Sequence, residues 1–179
     1  MTKIYGVTGM PLSGKTTVAE IMKENGFELL DMGEVVRKEM DKRNIESGKE
    51  GEFVNKQREE KGVDAIAQLS IPYLEKKLEK NDKTVITGMR GWSEKKRFEE
   101  ETGEKIEVVA VWASRETRKE RREERMREED RKGQGFHERD LREIKNGVGK
   151  LMALSDKMII NNEKEIEELR ETVISTVGN

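Results

Sequence analysis

The eight residues from Gly9 to Thr16, "GMPLSGKT", constrain this chain more than any other stretch. Two glycines with four residues between them, followed by a lysine and a threonine, let a backbone turn sharply and aim successive N–H groups at one point. The apolar, strand-like "KIYGV" comes before, and Val18, Ile21 and Met22 follow at helical spacing. A strand, a glycine turn and a helix N-terminus together suit a phosphate chain, because the positive end of the helix adds to the N–H groups. Gly9, Met10, Pro11, Leu12, Ser13 and Gly14 are therefore expected to cradle a nucleotide's phosphates, with Thr17 on the first helical turn. Lys15 is expected at the β- and γ-phosphates, and the Thr16 hydroxyl on Mg²⁺.

Such a loop serves kinases, motors and switches alike, so the rest of the chain has to choose. A guanine-reading Asn-Lys-x-Asp is missing; "NKQR" at 55–58 is the nearest approach. No predicted strand ends in the Asp-Glu pair of a motor ATPase. Charged residues make up 41% of the 179-residue chain, yet the net charge is only -2, so no global field draws in nucleic acid or an anionic membrane. Anion recognition must be local. With no cysteine, disulfides and thiolate chemistry drop out. No stretch approaches the roughly 20 apolar residues of a membrane span, and a soluble cytoplasmic protein is the expectation.

Four further apolar segments, at 27–32, 83–89, 105–113 and 156–162, alternate with helical patterns, which predicts a parallel sheet with helices on both faces. The core is expected at 1–32, 83–113 and 150–179. Residues 33–80 are too many for one crossover; Val63, Ile66, Leu69, Tyr73 and Leu74 mark an inserted helical subdomain. From Ser114 through Gly135 the only strongly apolar residue is Met126, so a helix there has no face to bury and is expected to project into solvent or over a ligand. Residues 114–149 therefore read as a lid, with Gly133, Gly135, Gly147 and Gly149 as candidate hinges.

In an open parallel sheet, ligands gather at the carboxyl ends of the strands. "DMGEVVRKE" places Asp31, Gly33 and Arg37 there, and "TGMRGW" places Gly88 and Arg90. Guanidinium forks suit phosphate oxygens, so Arg37 and Arg90, joined by Arg58 of the insertion, are candidate clamps for an anionic acceptor. In the lid, Arg118, Arg121, Arg122 and Arg125 fall at i, i+3, i+4 and i+7 on one helical face. Arg118, Arg121 and Arg125 are candidates to bring positive charge over the transferring phosphoryl group. Asp31 reads equally as a base for a hydroxyl acceptor, a water-mediated support for Mg²⁺, or a helix cap. His137 reads as solvated or capping, Trp92 as rim packing or a stacking platform, and Trp112 as core.

With these pieces in view, the chain resembles the nucleoside monophosphate kinase group of P-loop proteins. It is most similar to archaeal adenylate-kinase-related proteins and is also similar to dephospho-coenzyme A kinases. The likeness rests on "GVTGMPLSGKTTVAE", "MGEVVRKE", "GMRGWSE", "ASRETRKER", "ERDLREIKNGVG" and "LSDKMIINN", and covers nearly the whole chain. It implies a three-layer αβα fold around a five-stranded parallel sheet in the order 2-3-1-4-5, with 33–80 binding the acceptor. It also implies acceptor-phosphate roles for Arg37 and Arg90, and a place for Asn161 near the donor adenine. Thr87 departs from the pattern, since relatives commonly carry aspartate at that strand end. The resulting expectation is an ATP- and Mg²⁺-dependent kinase for a small-molecule, nucleotide-like acceptor, a nucleoside monophosphate before the hydroxyl of a coenzyme A precursor. Its rival is a nucleotide-dependent binding or regulatory protein with slow ATP hydrolysis. Neither a membrane nor a specific nucleic acid is an expected partner.

Overall fold

Alternation along the strands decides how the sheet is covered. Strand β1 (Lys3–Thr8) sends Ile4 to one face and Tyr5 and Val7 to the other. Strand β4 (Ile106–Trp112) divides Ile106 and Val108 from Val109 and Val111 in the same way. Both sets are apolar, so both faces of the sheet need helices. The computed structural model, which describes residues 2–125, 135–162 and 165–178, has that arrangement.

Strands β2 (Glu28–Asp31), β3 (Lys83–Thr87) and β5 (Lys157–Ile160) complete a five-stranded sheet ordered β2-β3-β1-β4-β5, with every pair parallel. Helices α1 (Lys15–Glu24) and α9 (Ile166–Val177) cover one face, packing Val18, Met22, Leu169 and Val173 against Val7, Val85 and Val109. The other face lies under α2 (Met32–Lys42), α3 (Glu50–Lys61), α4 (Ala65–Leu78), α5 (Trp92–Thr102) and the short α8 (Val148–Ala153). Phe98 of α5 is fully buried there, a contribution of roughly 1.5–3 kcal/mol. No described helix is long and apolar enough to cross a membrane.

The register brings the functional ends of the strands together. Val7 and Asp31 both sit opposite Thr87, and Thr8 opposite Ala110, so the phosphate loop after β1 and the turns after β2 and β3 open on one rim. The 33–80 insertion is the three helices α2, α3 and α4. Helices α6 (Arg115–Arg125) and α7 (Phe136–Asn146) come from the 114–149 region. Met126 and Gly133 lie outside the described residues.

Three expectations need correction. Val63 does not begin the inward face of α4; it sits in the α3–α4 turn and is 68% exposed. Trp112 is not core, because it ends β4 opposite Ile160 of edge strand β5, where the sheet runs out of covering helix, and it is 39% exposed. Helix α6 does bury a face, made of Thr117 and Arg118 and not of apolar residues.

Candidate phosphate-binding site

The loop from Gly9 to Gly14 doubles back on itself, with the Ser13 N–H donating to the Met10 carbonyl at 3.2 Å. Leu12 (φ 65°) and Gly14 (φ 95°) take left-handed conformations, which turns successive N–H groups toward a common concavity as an anion requires. Glycine at 14 is needed for a second reason: a Cβ there would lie 2.2 Å from Asn161 Nδ2. That amide donates to the Ser13 carbonyl at 2.9 Å, while the Asn161 N–H donates to the Trp112 carbonyl at 2.7 Å. Asn161 is buried, and its side chain braces the loop from beneath. The Ser13 hydroxyl is buried with no partner.

Lys15 starts α1 and crosses the loop, its Nζ 3.5 Å from the Met10 carbonyl. Burial, chiefly, lowers its pKa to about 8; Arg139, Arg90 and Arg118 push the same way, and Glu143 opposes them. Thr16 is exposed on the first turn of α1 and Thr17 half-buried behind it.

The lid arginines divide into distinct roles. Arg118 is almost wholly buried and makes a two-pronged pair with Asp140 of α7, at 2.7 and 2.8 Å, while donating to the Pro11 carbonyl at 3.2 Å. Arg121 donates to the Leu12 carbonyl at 3.1 Å and to the Asn161 carbonyl at 2.8 Å. Arg125 is exposed at the end of α6. The start of α6 is fixed by Ser114, whose hydroxyl accepts from the Thr117 N–H at 3.1 Å and whose own N–H donates to Asn162 Oδ1 at 2.7 Å. Gly147 (φ 109°) lies between α7 and α8, where a Cβ would come within 2.8 Å of the Arg90 carbonyl, so this turn packs closely on the turn after β3.

The sequence reading missed the α7 carboxylates. Helix α7 buries Asp140 and Glu143 and leaves Leu141 and Ile144 each 52% exposed, the reverse of what apolar spacing predicts. The available signal was the i,i+3 spacing of the two acids in "ERDLREIKN", opposite a helix rich in arginine. Glu143 Oε2 lies 3.5 Å from Arg90 Nε.

On the acceptor side, Asp31 is the N-cap of α2, accepting from the Gly33 N–H at 2.9 Å. Its other oxygen is 3.6 Å from Arg37, a half-exposed guanidinium. Gly88 turns the chain (φ 91°) beside Met32 and Gly33, which joins the two rim turns. Arg90 is half-exposed, and Arg58 lies 3.7 Å from Glu94. Glu94 is buried and accepts from the Arg90 and Gly91 N–H groups at 2.7 and 3.1 Å; burial raises its pKa. Trp92 packs against the core with Lys95 4.9 Å over its ring, and exposed His137 meets Arg115 at 3.1 Å.

A braced phosphate loop at the rim of a 2-3-1-4-5 parallel sheet defines a P-loop protein with the kinase-type fold. A family described as "AAA domain" matches residues 8–145. The UPF0200 protein of Thermococcus onnurineus is 36% identical over 94% of this chain and 97% of its own length. That of Pyrococcus furiosus is 40% identical over 87% of this chain and 86% of its own. The chain belongs to the AAA-domain family and to the UPF0200 family. Among solved structures, it is similar to the shikimate kinase of Acinetobacter baumannii in complex with shikimate (TM-score 0.59, 17% identity, 98% of this chain and 92% of that one). It is also similar to TT1252 from Thermus thermophilus (TM-score 0.65, 17% identity, 97% and 95%). At such identities the likeness is one of fold.

Proposed function

We propose that the protein is an ATP- and Mg²⁺-dependent small-molecule kinase whose acceptor is nucleotide-like, a nucleoside monophosphate in the first instance. One observation supports the reading: the phosphate loop that carries Lys15 is held by Arg118 and Arg121 of α6, and Arg37 and Arg90 follow the ends of the neighbouring strands β2 and β3 on the same sheet rim. Donor and acceptor anions held at those two places would meet between the ends of β1 and β3. An acceptor oxygen then attacks the γ-phosphorus in line, the bond to the β–γ bridging oxygen breaks, and ADP leaves with that electron pair. The protein's part is positioning and charge neutralisation. Arg37 and Arg90 orient the acceptor, Arg58 assists from α3, and Lys15 meets the charge that develops on the donor.

The residues present fit a nucleotide. The left-handed turns at Leu12 and Gly14 shape the loop for an anion, and the Ser13 hydroxyl within the loop is buried without a partner. Mg²⁺ would be held by the Thr16 hydroxyl and the nucleotide's own phosphates, and would supply neutralisation of their charge. Among the described residues, no three His, Asp or Glu side chains converge to hold it independently.

Transfer to a hydroxyl, as in dephospho-coenzyme A kinases, is a second reading, favoured by Asp31: one carboxylate oxygen caps α2, and the other, beside Arg37, faces the rim. The third, a binding protein that hydrolyses ATP slowly, is favoured by Thr87 at the end of β3, where a carboxylate would serve the metal. The deciding experiment is ATP consumption with Mg²⁺ across nucleoside monophosphates, dephospho-coenzyme A and no acceptor. Turnover that depends on a monophosphate supports the first reading, turnover with dephospho-coenzyme A the second, and slow turnover indifferent to acceptor overturns both in favour of the third.

A further inference from the structure

Helix α5 begins with a carboxylate that does more than a helix cap needs. Glu94 is the third residue of the helix, and its Oε2 accepts from the Gly91 N–H at 3.1 Å, the bond that a glutamate in this position makes to close a helix N-terminus. Two features go beyond that role. The same oxygen takes a shorter bond, 2.7 Å, from the Arg90 N–H, one residue before the cap. The residue is also only 2% exposed, and burying a carboxylate is costly unless donors and a cation meet it. The cation is Arg58 of α3, with a guanidinium nitrogen 3.7 Å from Oε1. Burial raises the carboxyl's pKa, while the Arg90 N–H, the Arg58 charge and the Gly91 N–H act against that rise. If capping were the whole role, glutamine would supply the same oxygen with no charge to bury.

Both arginines that Glu94 meets keep donors for another partner. At 3.7 Å the contact with Arg58 is an ion pair longer than a hydrogen bond, and the buried Arg58 Nε has no hydrogen-bond partner. Arg90 is held by its backbone, while its side chain is 46% exposed, 3.5 Å from Glu143. One buried carboxylate thus fixes where two cations from different elements stand relative to each other.

We propose that Glu94 is a positioning residue of the acceptor site, setting Arg58 against Arg90 so that both guanidinium forks serve one acceptor anion. The inference rests on the kinase reading and deepens it by naming the group that aligns its acceptor side. Glu94 does not touch the acceptor. It acts on Arg58 by charge and on Arg90 through the backbone. An arginine whose fork is already held loses less conformational freedom when an anion binds, so the alignment appears as acceptor affinity.

The test is steady-state kinetics with ATP, Mg²⁺ and the adenosine, guanosine, cytidine and uridine monophosphates in turn, beside calorimetry of a non-hydrolysable ATP analogue. The proteins are wild type, Glu94→Gln, Arg58→Ala and the double variant. Glutamine keeps an oxygen for the two N–H groups but turns an amide NH₂ toward Arg58, so the cap stays while the guanidinium loses its anchor. The expected result is an acceptor KM about tenfold or more higher in Glu94→Gln, with the analogue bound as tightly as by wild type. The double variant is expected to be no worse than Arg58→Ala, since the two changes remove one interaction. A purely structural cap would leave the acceptor KM where it was. An unchanged acceptor KM, an equal loss of analogue binding, or losses that add in the double variant overturn the positioning role and leave the kinase reading intact. If the glutamine variant does not fold, Glu94→Asp, which keeps the charge but shortens its reach, is expected to raise the acceptor KM in the same way, and an intact KM there overturns the role. Wild type that turns over with none of the four acceptors overturns the monophosphate reading and this inference with it.

Discussion

Arg121 and Asn161 clasp the phosphate loop together: the guanidinium donates to the Leu12 and Asn161 carbonyls, and the Asn161 amide donates to the Ser13 carbonyl. Lid, loop and the end of β5 are thereby one hydrogen-bonded unit. Arg121→Ala is expected to lower stability by roughly 1–3 kcal/mol, the cost of leaving those carbonyls without a charged donor, and to weaken ATP binding. Arg121→Lys, with one donor group in place of a fork, is expected to restore only part of both. Chemical denaturation and calorimetry on the three proteins check this; full recovery in the lysine variant would contradict the two-point clasp.

Gly14→Ala meets the same unit from inside. The new methyl group falls on the Asn161 amide, in a backbone conformation that a side chain already strains. Loss of ATP binding is expected with the rest of the fold retained. Pairing it with Asn161→Ala removes the collision but not the strain, so the double variant is expected to regain part of the binding that Gly14→Ala loses. Additive losses would mean that the contact is not the cause.

Lys15→Ala and Arg37→Ala separate the two halves of the site. The first removes the donor-side ammonium and is expected to abolish every nucleotide-dependent property. The second removes a half-exposed guanidinium of the acceptor side, so it should leave ATP binding unchanged and cut acceptor-dependent turnover by about 10²-fold or more. Initial rates at varied acceptor concentration test this, and intact turnover in Arg37→Ala would move the acceptor site elsewhere on the rim.

The phosphate loop and the parallel sheet were legible because both are written locally, as glycines at fixed spacing between a strand and a helix and as apolar runs alternating with helical patterns, whereas the strand order came from the resemblance. The rim residues Asp31, Gly33, Gly88 and Arg90 could be placed because a parallel sheet puts every strand end on one side. The lid was not legible in this way. Nothing local in "ERDLREIKN" says that its acids face inward, since the reason lies in Arg118 and Arg90, which are far away in sequence. Arg118 likewise read as a cation for the transferring phosphoryl group and not as half of a buried pair, because its partner Asp140 is 22 residues on. Asn161 was placed near the donor adenine by resemblance; the contact that its side chain makes here is with the loop backbone.

Acid should find the packing of α2 on α4 at Glu39. Its carboxylate takes a hydrogen bond from Lys42 first, then from Tyr73 and Arg43, and its pKa falls to about 2 from the usual 4.5. A carboxylate depressed on folding contributes stability that is fully present above its unfolded value and is lost as pH falls through the folded one. The wild type is therefore expected to lose, between pH 4.5 and about 2, an increment that Glu39→Gln lacks at every pH. Melting temperatures of the two proteins should converge across that window; parallel curves would mean that the cluster carries no linked stability.

The Arg118–Asp140 pair gives the sharpest contrast between anchoring and affinity. Both side chains are more than nine-tenths buried, so Asp140→Ala leaves a guanidinium in the interior with the Pro11 carbonyl and the Phe136 ring, 5.0 Å away, but no counter-charge in the pair's place. Breaking a buried pair from one side costs about 3–5 kcal/mol, and that loss is expected in Asp140→Ala. Replacing both members together, as in Arg118→Met with Asp140→Leu, removes the buried charges along with their desolvation penalty and is expected to restore most of the stability. The same double variant loses the donor that reaches the phosphate loop, so ATP binding should stay weak while the fold recovers. Denaturation and calorimetry on one set of proteins separate the two effects. Binding that returns with stability would make Arg118 a purely structural pin, and binding that stays lost would place its guanidinium in the phosphate site.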